Sequence, residues 1–424
     1  MEQSLIVRFS EITLKGRNRA QFERQLQRNV SRHLAAVGNF RVQQGAARLD
    51  ISGDGDLTTA VDVLRGVPGI ANLSQVRHGS HEPEALAARC VALVGEWLAE
   101  HGIGGNGGIS GNGGISGNGG ISGHGGAAGA GLRFRMDVER KDKRYPINSM
   151  TLAAQLGQAV LDAYPALRVD LNHPDLTVMV EVWPQEALLF LEKVPGPGGL
   201  AVGSSAKALC LLSAGIDSPV AAYRMMTRGC PVSYLNFHSF PFIGEQSKEK
   251  VHDMVRFLAR YQPSSRLYVA PFAEIQQAIR DKCPEPLRTL LYRRMMNRVA
   301  NHIAAREGAL ALVTGEALGQ VASQTMENLV AIHETAALPV LQPLIGMAKQ
   351  EIIDTARHIG TYPISIQPFP DCCTLFQPRH PETHARLDRV HKAEAALDID
   401  TLVQASVAAV EVTDYGPEYY PAHW

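Results

Sequence analysis

A short loop at residues 213–218 (Ser-Ala-Gly-Ile-Asp-Ser) carries the residue types with the clearest chemical meaning. It follows an apolar segment predicted to be a strand, and Pro219 favours a helix directly after it, with Ser218 as N-cap and Gly229 at the C-terminal cap. Free backbone N–H groups and a helix N-terminus at one point bind phosphate. Because Asp217 would repel a bare anion, the loop predicts a site for metal-bound pyrophosphate; an ordinary strand–turn–helix connection is the alternative.

The cysteines offer a second candidate for chemistry. Cys90, Cys210 and Cys230 stand among apolar, Gly or Pro residues, where burial explains them. Cys372 and Cys373 are adjacent in a Pro-rich segment, where burial explains less. The sequence has no Cys-x-x-Cys pair, so a zinc-ribbon or thioredoxin-like site has no support. The adjacent pair is therefore a candidate reactive site, and two incidental loop cysteines are the alternative.

The composition is typical of a globular protein. The 424 residues are 45% hydrophobic and 20% charged, and their number predicts two or three domains. No apolar run is long enough to span a bilayer, and the first ten residues lack the features of a signal peptide. Six cysteines are too few for a disulfide scaffold of this length. We therefore expect a cytoplasmic protein without membrane association.

Two basic clusters underlie a net charge of only −1. Between Arg8 and Arg32 there are seven Lys or Arg residues and two Glu. The second cluster comprises Arg133, Arg135, Arg140, Lys141, Lys143 and Arg144. Such clusters suit a polyanion, and a solvated charged face is the alternative for either one alone. Two clusters in one half of the chain favour nucleic acid.

Hydrophobic spacing predicts a different architecture in each half of the chain. Residues 5–9 predict a strand and residues 18–34 an amphipathic helix, and similar short elements follow, which indicates an α+β half. Residues 195–199 (Pro-Gly-Pro-Gly-Gly) predict a linker. Beyond it, apolar strands alternate with helices, among them a long one at 287–307. This alternation predicts a doubly wound parallel sheet whose functional site lies at the C-terminal ends of the strands.

Residues 102–131 interrupt the N-terminal half. They contain three near-copies of a Gly-rich hexapeptide with one Ile each. A phosphate-binding loop would need a strand before it and a helix directly after it, and the sequence predicts neither. We therefore expect an inserted flexible loop.

Five segments together resemble one enzyme family. They are residues 8–16, 196–199, 212–220, 314–325 and 371–373. The third resembles the pyrophosphate-loop signature Ser-Gly-Gly-x-Asp-Ser of ATP-dependent adenylating enzymes, with Ala214 in place of the first Gly. If that position needs a positive φ, alanine costs about 1–2 kcal/mol there. All five look like the tRNA 4-thiouridine synthetase (tRNA uracil 4-sulfurtransferase) family, over nearly the whole chain except the insert and the C-terminal end.

The resemblance implies three domains in a fixed order. They are an N-terminal ferredoxin-like domain (1–56), a THUMP RNA-binding domain (57–194) that contains the insert, and a pyrophosphate-loop domain (195–424). Some family members carry a further C-terminal rhodanese domain, and too few residues follow His391 to form one here. The partners implied are tRNA and a persulfide donor such as a cysteine desulfurase, with a sulfur-carrier protein and a homodimer as open options.

The resemblance also implies roles for individual residues. Those expected at ATP, together with the loop, are Leu211, Leu212, Ser213, Gly215, Ser218, Asn236, Phe237, Arg293, Gly315 and Gln324. Asp217 and Lys349 match positions that the family needs for uridine adenylation. Cys373 matches the sulfur-accepting cysteine, with Cys372 as an accessory. Mg²⁺ is expected with ATP; no metal site made by the protein alone is expected, and an iron–sulfur cluster involving Cys283 is disfavoured but left open.

The predicted reaction is ATP-dependent thiolation of tRNA. Adenylation turns uracil O4 into a leaving group, a persulfide on Cys373 supplies sulfur to C4, and AMP departs. The product is 4-thiouridine, and a role in supplying sulfur for the thiamine thiazole is left open. One alternative is another pyrophosphate-loop thiolase that makes 2-thiouridine. Another is a non-catalytic tRNA-binding protein in which Ala214 marks a decayed ATP site.

Overall fold

The computed structural model describes residues 3–103, 131–369, 372 and 375–416. Cys373 and almost all of the predicted insert therefore lie outside the described residues. The chain divides into two compact units. The first comprises residues 1–8, 40–61 and 72–195, and the second comprises residues 9–39, 62–71 and 196–424. The boundaries of the three predicted domains stay predictions.

The strands of the described residues are numbered β1–β15 in chain order. They are β1 Gln3–Phe9, β2 Phe40–Gly45, β3 Arg48–Gly53, β4 Ile70–Gly79, β5 Arg133–Arg140, β6 Arg168–Val169, β7 Leu176–Val182, β8 Ala187–Phe190, β9 Val194–Pro195, β10 Ala208–Leu211, β11 Val232–His238, β12 Ser265–Pro271, β13 Ala311–Val313, β14 Val340–Leu341 and β15 Glu411–Tyr415.

The α-helices of the same residues are numbered α1–α13. They are α1 Arg19–Leu34, α2 Leu57–Leu64, α3 Pro83–Glu100, α4 Ser149–Ala163, α5 Asp217–Thr227, α6 Glu245–Leu258, α7 Ala273–Lys282, α8 Arg288–Glu307, α9 Met326–His333, α10 Lys349–His358, α11 Tyr362–Ser365, α12 Leu387–Glu394 and α13 Ile399–Ala408. The predicted elements are confirmed within three residues at each end. The sequence did not predict α7, α9, α11, α12, α13, β9, β14 or β15.

The first unit is built on a sheet with the strand order β2-β3-β1-β4-β8-β7-β5-β6, in which β9 pairs with β4. Its largest buried cluster joins α3 and α4 to one face of this sheet. In α3 the buried side chains of Leu86, Cys90 and Val94 recur at four-residue spacing and pack with Leu152 and Leu156 of α4. Because residues at this spacing share one face of a helix, the sequence pattern alone places them in the core.

The second unit is built on a sheet with the order β14-β13-β10-β11-β12-β15. The neighbouring pairs from β14 to β12 are parallel, as predicted, whereas β15 is an antiparallel edge strand. All seven residues of β11 are buried, which is typical of a central parallel strand covered on both faces. The face of α8 that carries Leu291, Met295 and Val299 is buried as predicted, and the unpredicted helices α9, α12 and α13 complete that core.

None of the described helices is both long and apolar enough to cross a bilayer.

A buried carboxylate ties the C-terminal end of α8 to the sheet. Glu307 accepts hydrogen bonds from the Lys207 ammonium (2.9 Å), the Ser233 hydroxyl (2.5 Å) and the Tyr268 hydroxyl (2.6 Å). Arg266 adds an ion pair at 3.1 Å. Burial opposes ionisation of Glu307, but the hydrogen bonds from Ser233 and Tyr268 and the charge of Lys207 lower its pKa to about 2.

Replacing Glu307 by Gln should therefore destabilise the fold in a pH-dependent way. The folded-state pKa lies below the ordinary value, so the carboxylate contributes fully above about pH 4.5 and its contribution is lost as pH falls toward 2. We expect Glu307→Gln to lower the free energy of unfolding by about 3 kcal/mol at neutral pH, with a smaller difference near about pH 3. Urea titrations at both pH values measure this. Glu274→Gln, at an exposed position, is the control; a difference that does not change with pH would contradict the assignment.

Candidate active site

A cavity of about 480 Å³ opens in the second unit where β10, β11 and β13 end. Its wall contains most of the site residues predicted from the sequence. These are Leu211, Leu212, Ser213, Asp217, Ser218, Asn236, Phe237, Arg293, Gly315, Gln324 and Cys372. They come from segments far apart in the chain and meet because parallel strands present their C-terminal ends at one edge of the sheet.

The loop before α5 is closed by its own serines. The Ser218 hydroxyl accepts the Ser213 N–H at 2.9 Å and donates to the Ser213 carbonyl at 2.9 Å. The Gly215 N–H donates to the Ser213 hydroxyl at 3.2 Å. The helix begins at Asp217 after Ile216, so the prediction that Ser218 is the N-cap is wrong. Its hydroxyl bonds back across the loop instead of toward the next turn, and this fixes the shape of the loop.

Ala214 fits the loop without strain. Among the described non-glycine residues, the positive φ angles belong to Ala47 and Phe376, so Ala214 does not adopt the left-handed conformation. Its methyl group is buried in an apolar cluster that includes Leu212 and Val220. The cost considered for alanine at this position therefore does not arise, and the substitution is no argument for a decayed site.

Gly315 lets the end of β13 touch the start of α5. A Cβ atom at this position would lie 2.6 Å from the Ser218 nitrogen and 2.8 Å from the Asp217 carbonyl carbon. These atoms belong to the backbone, so no side chain could move aside. Glycine is therefore required here for close approach, although its φ is not positive.

Asp217 and Lys349 bring two helix N-termini together. They are the first residues of α5 and α10, and the Lys349 ammonium lies 2.6 Å from the Asp217 carboxylate. The Gln320 amide donates to the other oxygen of Asp217 at 2.9 Å. A cation at a helix N-terminus is opposed by the helix dipole, so Lys349 needs an anionic partner at this point. Two helix N-termini and an ammonium together form a site for a polyanion such as pyrophosphate.

A buried carboxylate that the sequence analysis missed orients Arg293. Glu316 is 1% exposed and forms a short ion pair with the Arg293 guanidinium. It also accepts a hydrogen bond from the Thr314 hydroxyl at 2.7 Å and lies 3.2 Å from the His333 ring nitrogen. Burial opposes its ionisation, but Arg293, His333 and Thr314 lower its pKa to about 2. Glu316 therefore stays ionised and fixes Arg293 on the cavity wall.

One sequence signal could have found Glu316. It directly follows Gly315 at the end of β13, within one of the segments that carry the family resemblance. A charged residue at a strand end, beside a glycine expected at the nucleotide, is a candidate for the site. Its burial and its partners on α8 and α9 depend on the tertiary structure.

The cysteines away from the cavity are poor nucleophiles. Burial raises the pKa of Cys90 and Cys210 to about 12. Burial also raises the pKa of Cys283, whose thiol donates to the Ala393 carbonyl at 3.4 Å. Cys230 is only half-buried, which corrects the expectation of full burial, because its segment turns toward the surface after α5. Burial nevertheless raises its pKa as well.

Cys372 is buried and lines the cavity, whereas its neighbour Cys373 lies outside the described residues. Among the described residues, no group of three or more His, Cys, Asp or Glu side chains could hold a metal ion.

The first basic cluster leaves a stripe of arginines on α1. Arg24, Arg28 and Arg32 recur every four residues and are exposed. Arg8 and Arg19, in contrast, are engaged by Glu181 at 2.8 Å and Glu23 at 2.7 Å. The exposed stripe can therefore contact a polyanion, and so can Arg17 of the same cluster, which is also exposed.

Carboxylates compensate much of the second basic cluster. Arg133 pairs with Asp175 at 2.7 Å. Lys141 and Arg144 pair with near neighbours, Glu139 at 2.6 Å and Asp142 at 3.1 Å. These ion pairs reduce the positive potential that the residue count suggested.

Three family models match successive parts of the chain. They are the ThiI ferredoxin-like domain (residues 4–74), the THUMP domain (residues 124–192) and the thiamine biosynthesis protein ThiI (residues 203–399). A probable tRNA sulfurtransferase of Moorella thermoacetica is 40% identical over 418 residues, which cover 99% of each chain. The chain belongs to the tRNA sulfurtransferase (ThiI) family.

Two further comparisons place it within this family. A probable tRNA sulfurtransferase of Caldanaerobacter subterraneus subsp. tengcongensis is 37% identical over 403 residues, which cover 95% of this chain and 97% of the relative. The crystal structure of a 4-thiouridine synthetase–RNA complex with bound ATP matches with a TM-score of 0.82 and 34% identity, covering 98% of this chain and 100% of that one. The predicted fold with ferredoxin-like, THUMP and pyrophosphate-loop domains is confirmed.

In this member of the tRNA sulfurtransferase family, the close contact at Gly315 predicts how an added methyl group would change ATP binding. Gly315→Ala should move the loop away from β13, because the new methyl group would overlap backbone atoms of α5. An overlap of this kind costs about 1–3 kcal/mol. We therefore expect the Kd for ATP, measured by isothermal titration calorimetry, to rise about tenfold or more. Gly346→Ala is the matched control because a methyl group at that position would have no atom within 4 Å. Equal ATP affinity of the two variants would show that the contact at Gly315 is not needed for ATP binding.

Proposed function

We propose that this protein uses ATP to adenylate a tRNA uridine at O4 and then replaces that oxygen with sulfur, giving 4-thiouridine. One observation carries the proposal. Residues of the phosphate-type loop, Asp217 with its partner Lys349 beside it, and Cys372 meet at one cavity, which Asp217 and Cys372 line directly. Activation by ATP and sulfur transfer need these two kinds of chemistry side by side, and a protein that only binds tRNA needs neither.

The cavity wall has a polar part that matches the phosphates of ATP and an apolar part that matches its base. The polar part of the wall consists of Ser213, Ser218 and the start of α5 at Asp217, with Lys349 held beside it by Asp217, and this part would hold the phosphates. The apolar part of the wall, which would face the flat base, consists of Leu211, Leu235, Phe237, Met296 and Ile332. Arg293, held in place by Glu316, would add a cation between these two parts.

Adenylation makes the departure of O4 feasible. Uracil O4 is a poor leaving group, and transfer of AMP onto it creates a phosphate ester that can leave. The Lys349 ammonium would stabilise negative charge on the departing pyrophosphate, as a preorganised cation does in a site of this kind. Asp217 holds that ammonium at the loop. The pair thus places positive charge where the phosphates develop negative charge.

Mg²⁺ fits this site as a companion of ATP. The ion usually takes one or two carboxylates together with substrate phosphates, and Asp217 is the carboxylate at the start of α5. When bound, Mg²⁺ would neutralise phosphate charge, and Asp217 would hold it.

Sulfur transfer would use a persulfide on Cys373. Its terminal sulfur forms a bond to C4, and AMP leaves with the former O4. A second thiol, Cys372 or an external one, then attacks the Cys373 sulfur and breaks the S–S bond. The products are 4-thiouridine and a disulfide, which an external thiol must reduce. The persulfide itself requires a donor such as a cysteine desulfurase.

Substrate RNA has a candidate contact in the exposed stripe of Arg24, Arg28 and Arg32 on α1. Arginines spaced along one helix face can pair with successive phosphates, which suits recognition of structured RNA by shape. A tRNA substrate agrees with the cytoplasmic location expected from the sequence. The match to a family model named for thiamine biosynthesis favours a second use of the same persulfide as a sulfur source for the thiazole.

Asp217→Asn and Lys349→Ala should each slow adenylation by about 100-fold or more, because each removes one partner of the charged pair at the phosphates. Binding of tRNA in a filter assay should be nearly unchanged. The measurement is ATP-dependent pyrophosphate release with saturating tRNA. Lys248→Ala, which breaks a 2.6 Å ion pair with Glu411, is the control and should behave like wild type. A parallel loss of tRNA binding would argue against separate roles.

Cys373→Ser should separate the two half-reactions. Serine cannot carry a persulfide, so formation of 4-thiouridine should stop, while pyrophosphate release continues because it uses other groups. A single-turnover assay scores both products, with nucleoside mass spectrometry for the thiolated base. Cys230→Ser is the control, and Cys372→Ser should retain more activity than Cys373→Ser. Full thiolation by Cys373→Ser would exclude the covalent persulfide, and 2-thiouridine as the product would favour the related thiolase.

A further inference from the structure

A buried glutamine holds the residue that precedes the predicted sulfur carrier. Gln276 on α7 is fully buried, and its amide nitrogen donates to the Cys372 carbonyl at 2.8 Å. Its amide oxygen accepts a hydrogen bond from the Ser239 hydroxyl. Ser239 directly follows β11, whose residues Asn236 and Phe237 line the cavity. One side chain thus connects the cavity wall to the cysteine segment.

We propose that Gln276 is a positioning residue for sulfur transfer, which holds the Cys372 backbone so that the Cys372 thiol stays at the cavity where the activated base would bind. This inference rests on the proposed function. A hydrogen bond to the Cys372 carbonyl restricts rotation of the backbone that carries this thiol. A displacement of about 1 Å at a reacting centre can cost on the order of 100-fold in rate.

A second buried group anchors the same segment further upstream. The Lys250 ammonium donates to the carbonyls of Ser365 (2.9 Å) and Gln367 (3.0 Å), and the residue is 4% exposed. The Ser365 hydroxyl donates to the Gly215 carbonyl in the phosphate-type loop at 3.2 Å. Lys250 therefore ties the upstream part of the segment to α6, and Ser365 ties it to the loop. Gln276 ties Cys372 to Ser239 at the end of β11.

The hydrogen bonds of Gln276 and Lys250 are better suited to fixing the path of the backbone than to raising the free energy of unfolding. Burying a polar side chain gives little net stabilisation even when it is fully hydrogen-bonded, and an apolar residue of the same shape is often equally stable. Directional bonds to particular carbonyls instead select one backbone path. Neither Gln276 nor Lys250 is among the residues that line the cavity, so their effect on chemistry is indirect.

The test is to separate sulfur transfer from adenylation in Gln276→Met, which keeps the volume and removes both hydrogen bonds. We expect pyrophosphate release within about twofold of wild type and single-turnover formation of 4-thiouridine at least about tenfold slower. Ser239→Ala removes the bond that orients the Gln276 amide, so it should slow thiolation in the same direction but less. Gln158→Met, which removes an exposed amide hydrogen bond to Asp162, is the matched control and should thiolate like wild type.

A second variant keeps the test decisive if Gln276→Met folds poorly. Gln276→Glu keeps the shape and the acceptor for Ser239 but, when ionised, has no donor for the Cys372 carbonyl. Burial at this position raises the pKa of the introduced carboxyl, and a protonated carboxyl would donate again, so the thiolation defect should appear as pH rises and shrink as pH falls within the range where pyrophosphate release is unchanged. Normal thiolation by folded Gln276→Met, a thiolation rate of Gln276→Glu that follows wild type at every pH in that range, or equal loss of both half-reactions would overturn the positioning role.

The variants distinguish a failure of the persulfide mechanism from a failure of the positioning role of Gln276. If Cys373→Ser still thiolates, the persulfide mechanism is wrong whatever the Gln276 variants do. If Cys373→Ser is inactive in thiolation and Gln276→Met is fully active, only the positioning role is wrong.

Discussion

The contact between the end of β13 and the start of α5 sets the geometry of the whole site. A Cβ atom on Gly315 would lie 2.6 Å from the Ser218 nitrogen, so this approach is open only to glycine. The contact places the loop, the first turn of α5 and the wall that continues into Glu316 within one cavity. Phosphate binding at a helix N-terminus depends on backbone groups, which cannot adjust as side chains do. The rest of the site is therefore arranged around this backbone contact.

Two ion pairs lie in or beside the cavity wall, and they differ in how far water can reach them. Glu316 and Arg293 form a buried pair in which neighbouring groups lower the carboxylate pKa to about 2. Asp217 and Lys349 form a more exposed pair, with the lysine side chain 43% accessible. Water competes with the second pair more strongly, so in the proposed reaction its ammonium would exchange Asp217 for a phosphate more readily. The buried pair holds the Arg293 cation in one place, whereas the exposed pair leaves Lys349 free to change partner.

The nucleotide loop and the cysteine segment are held in place by different kinds of contact. The nucleotide loop is shaped by its own serines and by Gly315, all within a short distance of the sheet edge. The segment that ends at Cys372 instead depends on Gln276 and Lys250, which reach it from separate helices. In the proposed mechanism, sulfur transfer would therefore depend on the packing of α6 and α7, which carry Lys250 and Gln276.

Residue spacing alone was enough to predict the loop, the alternation of strands and helices, the buried face of α8 and the start of α10 at Lys349, because each depends on local pattern. Packing in three dimensions supplied the rest. Ser218 closes the loop because Ser213 lies opposite it, and Glu316 matters because Arg293 and His333 reach it from α8 and α9. Gln276 gains its role from Ser239 and Cys372, and short helices such as α9 form by packing on α8. These features depend on partners far away in the chain, which residue spacing does not encode.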